Sequence, residues 1–124
     1  MLPERSGIAA FRGADGEMEP LSEMADGTDR RGTMVVHMTV DPSRGDEVDR
    51  HFRNDVRPWA QGQPGFVSAQ WIRLADGDRG MGLVTFETED QAHAAARGPR
   101  MAPHVEGRAW NTDSVEVYAV VTQA

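Results

Sequence analysis

The 124-residue chain contains no cysteine and no lysine. Without cysteine there is no disulfide, no thiolate nucleophile and no zinc–thiolate site. Every one of the 13 basic residues is arginine, and 20 acidic residues leave a formal net charge of −7. Nucleic acids and anionic membrane surfaces both select clustered positive charge, so the balance argues against either as a partner. No apolar run approaches the roughly 18 residues of a membrane span. Aromatic residues are scarce, at 6%. There is no Gly-x-Ser-x-Gly elbow for nucleophilic catalysis. Gly77, Gly80 and Gly82 lie in and after a hairpin, so they form no phosphate loop. What remains is one small acidic domain, expected to be soluble and cytoplasmic. Arginine in place of lysine, with abundant Ala, Gly and Val, matches the codon usage of a GC-rich bacterial genome.

The chain divides near residue 33. Residues 1–32 hold five Gly, two Pro, seven acids and four Arg, and their apolar residues keep no period. Such a segment buries too little apolar surface to offset its ordering entropy, so a disordered or loosely attached tail is expected there. It has neither the basic start nor the apolar core of a secretory signal. Residues 33–124 form the folded domain, and Met34 is an alternative start.

From Thr33 onward the pattern is regular. The sequence predicts a strand at TMVVHMTV (33–40), ended by Asp41-Pro42. Val48, Phe52, Val56, Trp59 and Ala60 make one apolar stripe at helical spacing. Ser43 or Asp46 caps that helix, and Pro58, which has no N–H, kinks or restarts it. Gln63-Pro64-Gly65 turns into a second strand from Phe66, and ADGDRG (75–80) joins it to a third from Met81. Thr88-Glu89-Asp90-Gln91 matches a capping box, opening a short helix that Gly98-Pro99 stops. A further helical piece follows Arg100, and the last strand begins at Val115. The order β-α-β-β-α-β is the ferredoxin-like plan: α+β, with a four-stranded antiparallel sheet and its helices on one face.

Both sheet faces read as apolar. Met34, Val36, Met38 and Val40 alternate with Val35, His37 and Thr39, and Trp71 shares a face with Val67 and Ala69. Two short helices cover one face only, and large apolar patches are rare on monomers. A homodimer packed sheet to sheet is therefore expected.

Four stretches carry a family resemblance: VVHMTVDPSRGDEVDRHF, the turn PGF at 64–66, TFETEDQAHAA at 85–95, and GPRMAPHVEG at 98–107. They resemble the dimeric α/β-barrel superfamily, in particular its antibiotic-biosynthesis-monooxygenase-like members. The resemblance implies a site between helices and sheet. It implies either cofactor-independent oxidation of quinols or phenols, or haem binding and degradation. His104 matches the haem-degraders' iron ligand, Val36 stands at their first-strand asparagine, and Phe86 at their tryptophan.

The first hypothesis is a cofactor-independent monooxygenase of a small aromatic or quinol-like substrate. His104 is its base, and Val36, Phe86, Met101 and Trp110 form its binding wall. The second is a haem protein with His104 as axial ligand. The third is a non-catalytic small-molecule binder or assembly module. His37 reads as an interface residue, and His51 and His93 as solvent-exposed. Trp59 reads as core, Trp71 as interface, and Tyr118 as a core hydrogen-bonding group. The histidines show no metal-ligand spacing, so no metal is expected.

Overall fold

In the computed structural model, which describes residues 30–124, β1 (Gly32–Val40) runs through the middle of the sheet. It is flanked by β3 (Arg79–Phe86) and β4 (Trp110–Ala119), and β2 (Phe66–Arg73) lies outside β3. Every pairing is antiparallel. The ferredoxin-like α+β plan is thus the observed one. The expected tail over 1–32 falls mainly outside the described residues. At its end, Gly32 already pairs with Phe86 and Ala119, and the Arg31 carbonyl accepts from Val120 N at 2.8 Å.

The period-two alternation of β1 works as read. Met34, Val36, Met38 and Val40 all face the buried core. The helical layer above them is one continuous run in four segments: a 3₁₀ turn (Pro42–Arg44), α1 (Gly45–His51), a π-helical turn (Phe52–Val56) and α2 (Arg57–Gln61). Its cap is Asp41, rather than Ser43 or Asp46. Asp41 Oδ1 accepts from Ser43 N at 3.0 Å while Pro42 takes the first helical position, where no N–H is needed. Those hydrogen bonds from Ser43 hold the Asp41 carboxyl below its ordinary range. Pro58 does not break the run. The backbone widens just before it, with Arg57 N donating to Phe52 O five residues back. A wider turn suits a residue that gives no N–H and crowds the carbonyl behind it. Val48 and Ala60 are fully buried and Phe52 nearly so. Each of the two larger side chains contributes roughly 1.5–3 kcal/mol by leaving water.

A clamp fixes this helix to the sheet. Arg73 of β2 donates from Nε and Nη2 to both oxygens of Asp49, at 2.7 and 3.0 Å. The guanidinium holds the Asp49 carboxyl below the usual carboxylate range. A depressed folded-state pKa stabilises the fold above the unfolded value, and that gain is lost as pH falls through the folded one. Asp49→Asn is therefore expected to be less stable than the parent at about pH 7, with the gap closing as pH falls through the depressed Asp49 pKa, as read by urea unfolding.

At α3 (Glu89–Arg100) the capping box forms as predicted: Gln91 N donates to Thr88 Oγ1 at 3.1 Å, and Thr88 N to Gln91 Oε1 at 3.2 Å. The helix runs through Gly98-Pro99 and ends one residue beyond, at Arg100. Beyond it the predicted helical piece is an irregular segment. The last strand begins five residues earlier than expected, at Trp110 instead of Val115. Asp113 is an extra residue between the partners of Met38 (Thr112) and His37 (Ser114), a bulge in the ladder with β1. That bulge shifts the alternation, so Trp110 and Val115 pack against the same core.

The other sheet face is mixed. Val35 stands opposite Leu83, and Met81 opposite Ile72. Beside them His37 Nε2 and Tyr118 Oη both reach Glu116 Oε1, at 3.0 and 3.4 Å. Tyr118 is therefore on this exposed face and not in the core.

Candidate functional site

Helix, sheet and the segment after α3 enclose a cavity of about 460 Å³. Its floor is Met34, Val36, Met38 and Val84. Its sides are Trp71, Trp110 and Thr112 from the strands and His51, Phe52, Asp55, Val56 and Trp59 from the helical run. Gly98, Pro99, Ala102 and Arg108 complete the rim. Three tryptophans and Phe52 in a mainly apolar wall suit a flat apolar ligand.

The strand geometry explains how the indoles reach the cavity. Trp71 sits opposite Gly82 on β3, and a Cβ built on Gly82 would lie 2.9 Å from both Cδ1 and Nε1 of the indole. The absence of a side chain there lets Trp71 lie down on the sheet. Trp71 is therefore a wall of the cavity on the helix-covered face, not part of the open face assigned from alternation. Trp59, read as core, is 36% exposed and lies against Gly98 at the rim.

The polar element is His51. Its ring stacks on Trp110, with centroids 3.8 Å apart and planes 15° from parallel. Its Nδ1 lies 2.9 Å from Asp55 Oδ2, one helical turn on. An ionised carboxylate only accepts, so Nδ1 carries the proton in this bond and Nε2 is left with the lone pair. Asp55 lies within the π-helical turn that begins directly after His51, a feature frequent at functional sites. The expectation of a solvent-exposed His51 is corrected: its side chain is 21% exposed and Asp55 takes the outer position at 68%. The signal was present in the sequence as His and Asp at i and i+4 beside the Val48/Phe52 stripe.

Arg108 also holds Trp110. Its guanidinium carbon is 5.4 Å from the indole centroid, and Nε donates to the Trp110 carbonyl at 2.8 Å. Asn111 ties the preceding segment down, accepting from Val105 N at 2.9 Å and donating to Val105 O at 3.1 Å. Arg44 adds a third tie, Nη1 to Gly107 O at 2.7 Å.

Of the residues singled out from sequence, Val36 and Trp110 line the cavity. Phe86 does not; it is fully buried in the core. Met101 is 81% exposed, and His104 is exposed two residues beyond Ala102 of the rim, outside the lining. His93 is exposed, as read. Among the described residues no three His, Asp or Glu side chains gather to hold a metal ion, and no helix is long and apolar enough to cross a membrane.

Residues 32–106 match the family described as antibiotic biosynthesis monooxygenase. The chain belongs to that family. Among curated proteins no sequence matches. Proteins of known structure share the fold. The haem-degrader MhuD of Mycobacterium tuberculosis, with two haems in its active site, is 22% identical with a TM-score of 0.58, over 75% of this chain and 98% of its own. A putative monooxygenase of Shewanella loihica is 20% identical with a TM-score of 0.55, over 78% and 100%. The ActVA-Orf6 monooxygenase of Streptomyces coelicolor, in complex with nanaomycin D, is 18% identical with a TM-score of 0.51, over 77% and 92%.

Proposed function

We propose that the domain is a cofactor-independent monooxygenase of a flat, hydroxylated aromatic. The stacked and carboxylate-oriented His51 in the wall of a tryptophan-lined cavity is the observation that carries this reading. His51 Nε2 takes the phenolic proton, Asp55 fixes the tautomer that leaves Nε2 basic, and the apolar floor excludes water. The resulting electron-rich anion reduces O₂ directly. One oxygen atom becomes a ring carbonyl in place of a C–H bond. The other leaves as water with two substrate hydrogens, so the substrate supplies every electron. His51 thus takes the role that sequence reasoning gave to His104.

The second reading, haem with His104 as axial ligand, draws on the family resemblance and on the shared fold of MhuD. Axial ligation needs an imidazole nitrogen in the cavity wall. His104 is outside that wall, so the geometry disfavours the ligand this reading names, and His51, with Nδ1 on Asp55, is the imidazole that stands in the wall.

Oxygen uptake with 1-naphthol, without added cofactor, is the test. The expected products are naphthoquinone and water, one O₂ per naphthol. No uptake across naphthols and quinols, with a stoichiometric Soret shift that His104→Ala abolishes, would replace this reading with the haem one. The same proposal includes a homodimer: Ile72, Met81 and Leu83 leave an apolar patch on the open sheet face that a second copy would cover. Analytical ultracentrifugation is expected to read twice the chain mass, and a monomer at micromolar concentration would refute it.

A further inference from the structure

We infer that the substrate carries a carboxylate, seated in a side notch by Arg53 and Arg57. The inference deepens the oxygenase reading and rests on it. The notch is a second cavity of about 180 Å³, lined by Asp49, Arg53, Arg57, Phe52 and Trp71. Phe52 and Trp71 also wall the main cavity, so the two spaces adjoin across this aromatic pair. On this inference the ring lies against Trp71 in the main cavity, with its carboxylate passing the margin of that pair into the notch.

The charge in the notch is positive. Its one carboxylate, Asp49, is occupied on both oxygens by Arg73. Arg53 and Arg57, one helical turn apart, make no ion pair with any of the described residues. A net charge of −7 repels anions from the molecule as a whole; Arg53 and Arg57, with Arg73 beside them, outnumber the single Asp49 carboxylate and reverse the field locally. Guanidinium forks match a planar carboxylate in shape and in charge, and an anion placed there leaves the ring and its hydroxyl to the His51 side.

The test compares two ligands that differ by the carboxylate alone, 6-hydroxy-2-naphthoate and 2-naphthol, by isothermal titration calorimetry. Binding of the acid is expected to be about tenfold tighter or more, the size of one charge-assisted contact. In the Arg53→Gln/Arg57→Gln double variant the ratio is expected to fall close to one, with each single variant in between. Arg50→Gln, on the same helical run but outside both cavities, is expected to keep the ratio. Both arginines of the notch are exposed, so the variants leave the core intact. Equal affinities in the parent, or a ratio that survives the double substitution, would overturn the inference and leave the aromatic cavity standing. Failure of both naphthalenes to bind would overturn the inference together with the reading beneath it.

Discussion

His51→Ala is expected to lower turnover of the hydroxylated aromatic by about 10²–10⁴-fold, the usual contribution of a positioned general base. The imidazole is held from two directions, by the Trp110 ring at 3.8 Å and by Asp55 at 2.9 Å, and alanine removes both contacts along with the base. Asp55→Asn should fall in between. The asparagine amide can donate to Nδ1 and so favours the tautomer whose Nε2 carries the proton. Asp55→Glu, which keeps the accepting carboxylate, should recover part of the loss. Steady-state oxygen uptake reads all three, and ligand affinity measured alongside separates lost chemistry from lost binding. Full turnover in His51→Ala, with loss in His104→Ala, would return the base to the segment after α3.

Phe86→Ala is expected to cost about 3–5 kcal/mol, as for a large core side chain that leaves a cavity. Phe86 is fully buried at the end of β3, paired with Gly32 on one side and Phe66 on the other. A domain of this size has about 5–15 kcal/mol in all, so the variant should unfold at a much lower urea concentration, if it folds at all. Phe86→Leu, which removes less volume, keeps the experiment readable where the alanine variant is too unstable to purify. A cost below about 1 kcal/mol with weakened ligand binding would place Phe86 in the cavity wall after all.

These two residues also show where sequence reasoning separates from structure. In the sequence Phe86 stands at the position of a family tryptophan, just before the acidic turn into α3. Chain position does not report depth, and Val84, two residues earlier on the same strand face, is the residue that reaches the cavity. In the sequence His51 reads as solvent-exposed, on a helix beside charged residues. What decides its environment is Trp110, distant in sequence and brought near by the β1–β4 pairing.

The sequence by itself determined the element order, the inward set Met34, Val36, Met38 and Val40, and the capping box at Thr88. It also placed a helical stripe through Val48 and Phe52. All of these are local: they depend on periods of 2 or 3.6 residues and on side chains reaching their own backbone. The tertiary structure decided everything that depends on phase or on distant contacts. One extra residue at Asp113 inverts the alternation of β4 and turns Trp110 inward, and one widened turn before Pro58 keeps the helix whole. A missing side chain at Gly82 makes room for Trp71. A single-residue insertion leaves composition and period almost unchanged while moving every side chain beyond it to the opposite face, so the cavity and its histidine emerge only when the strands pair.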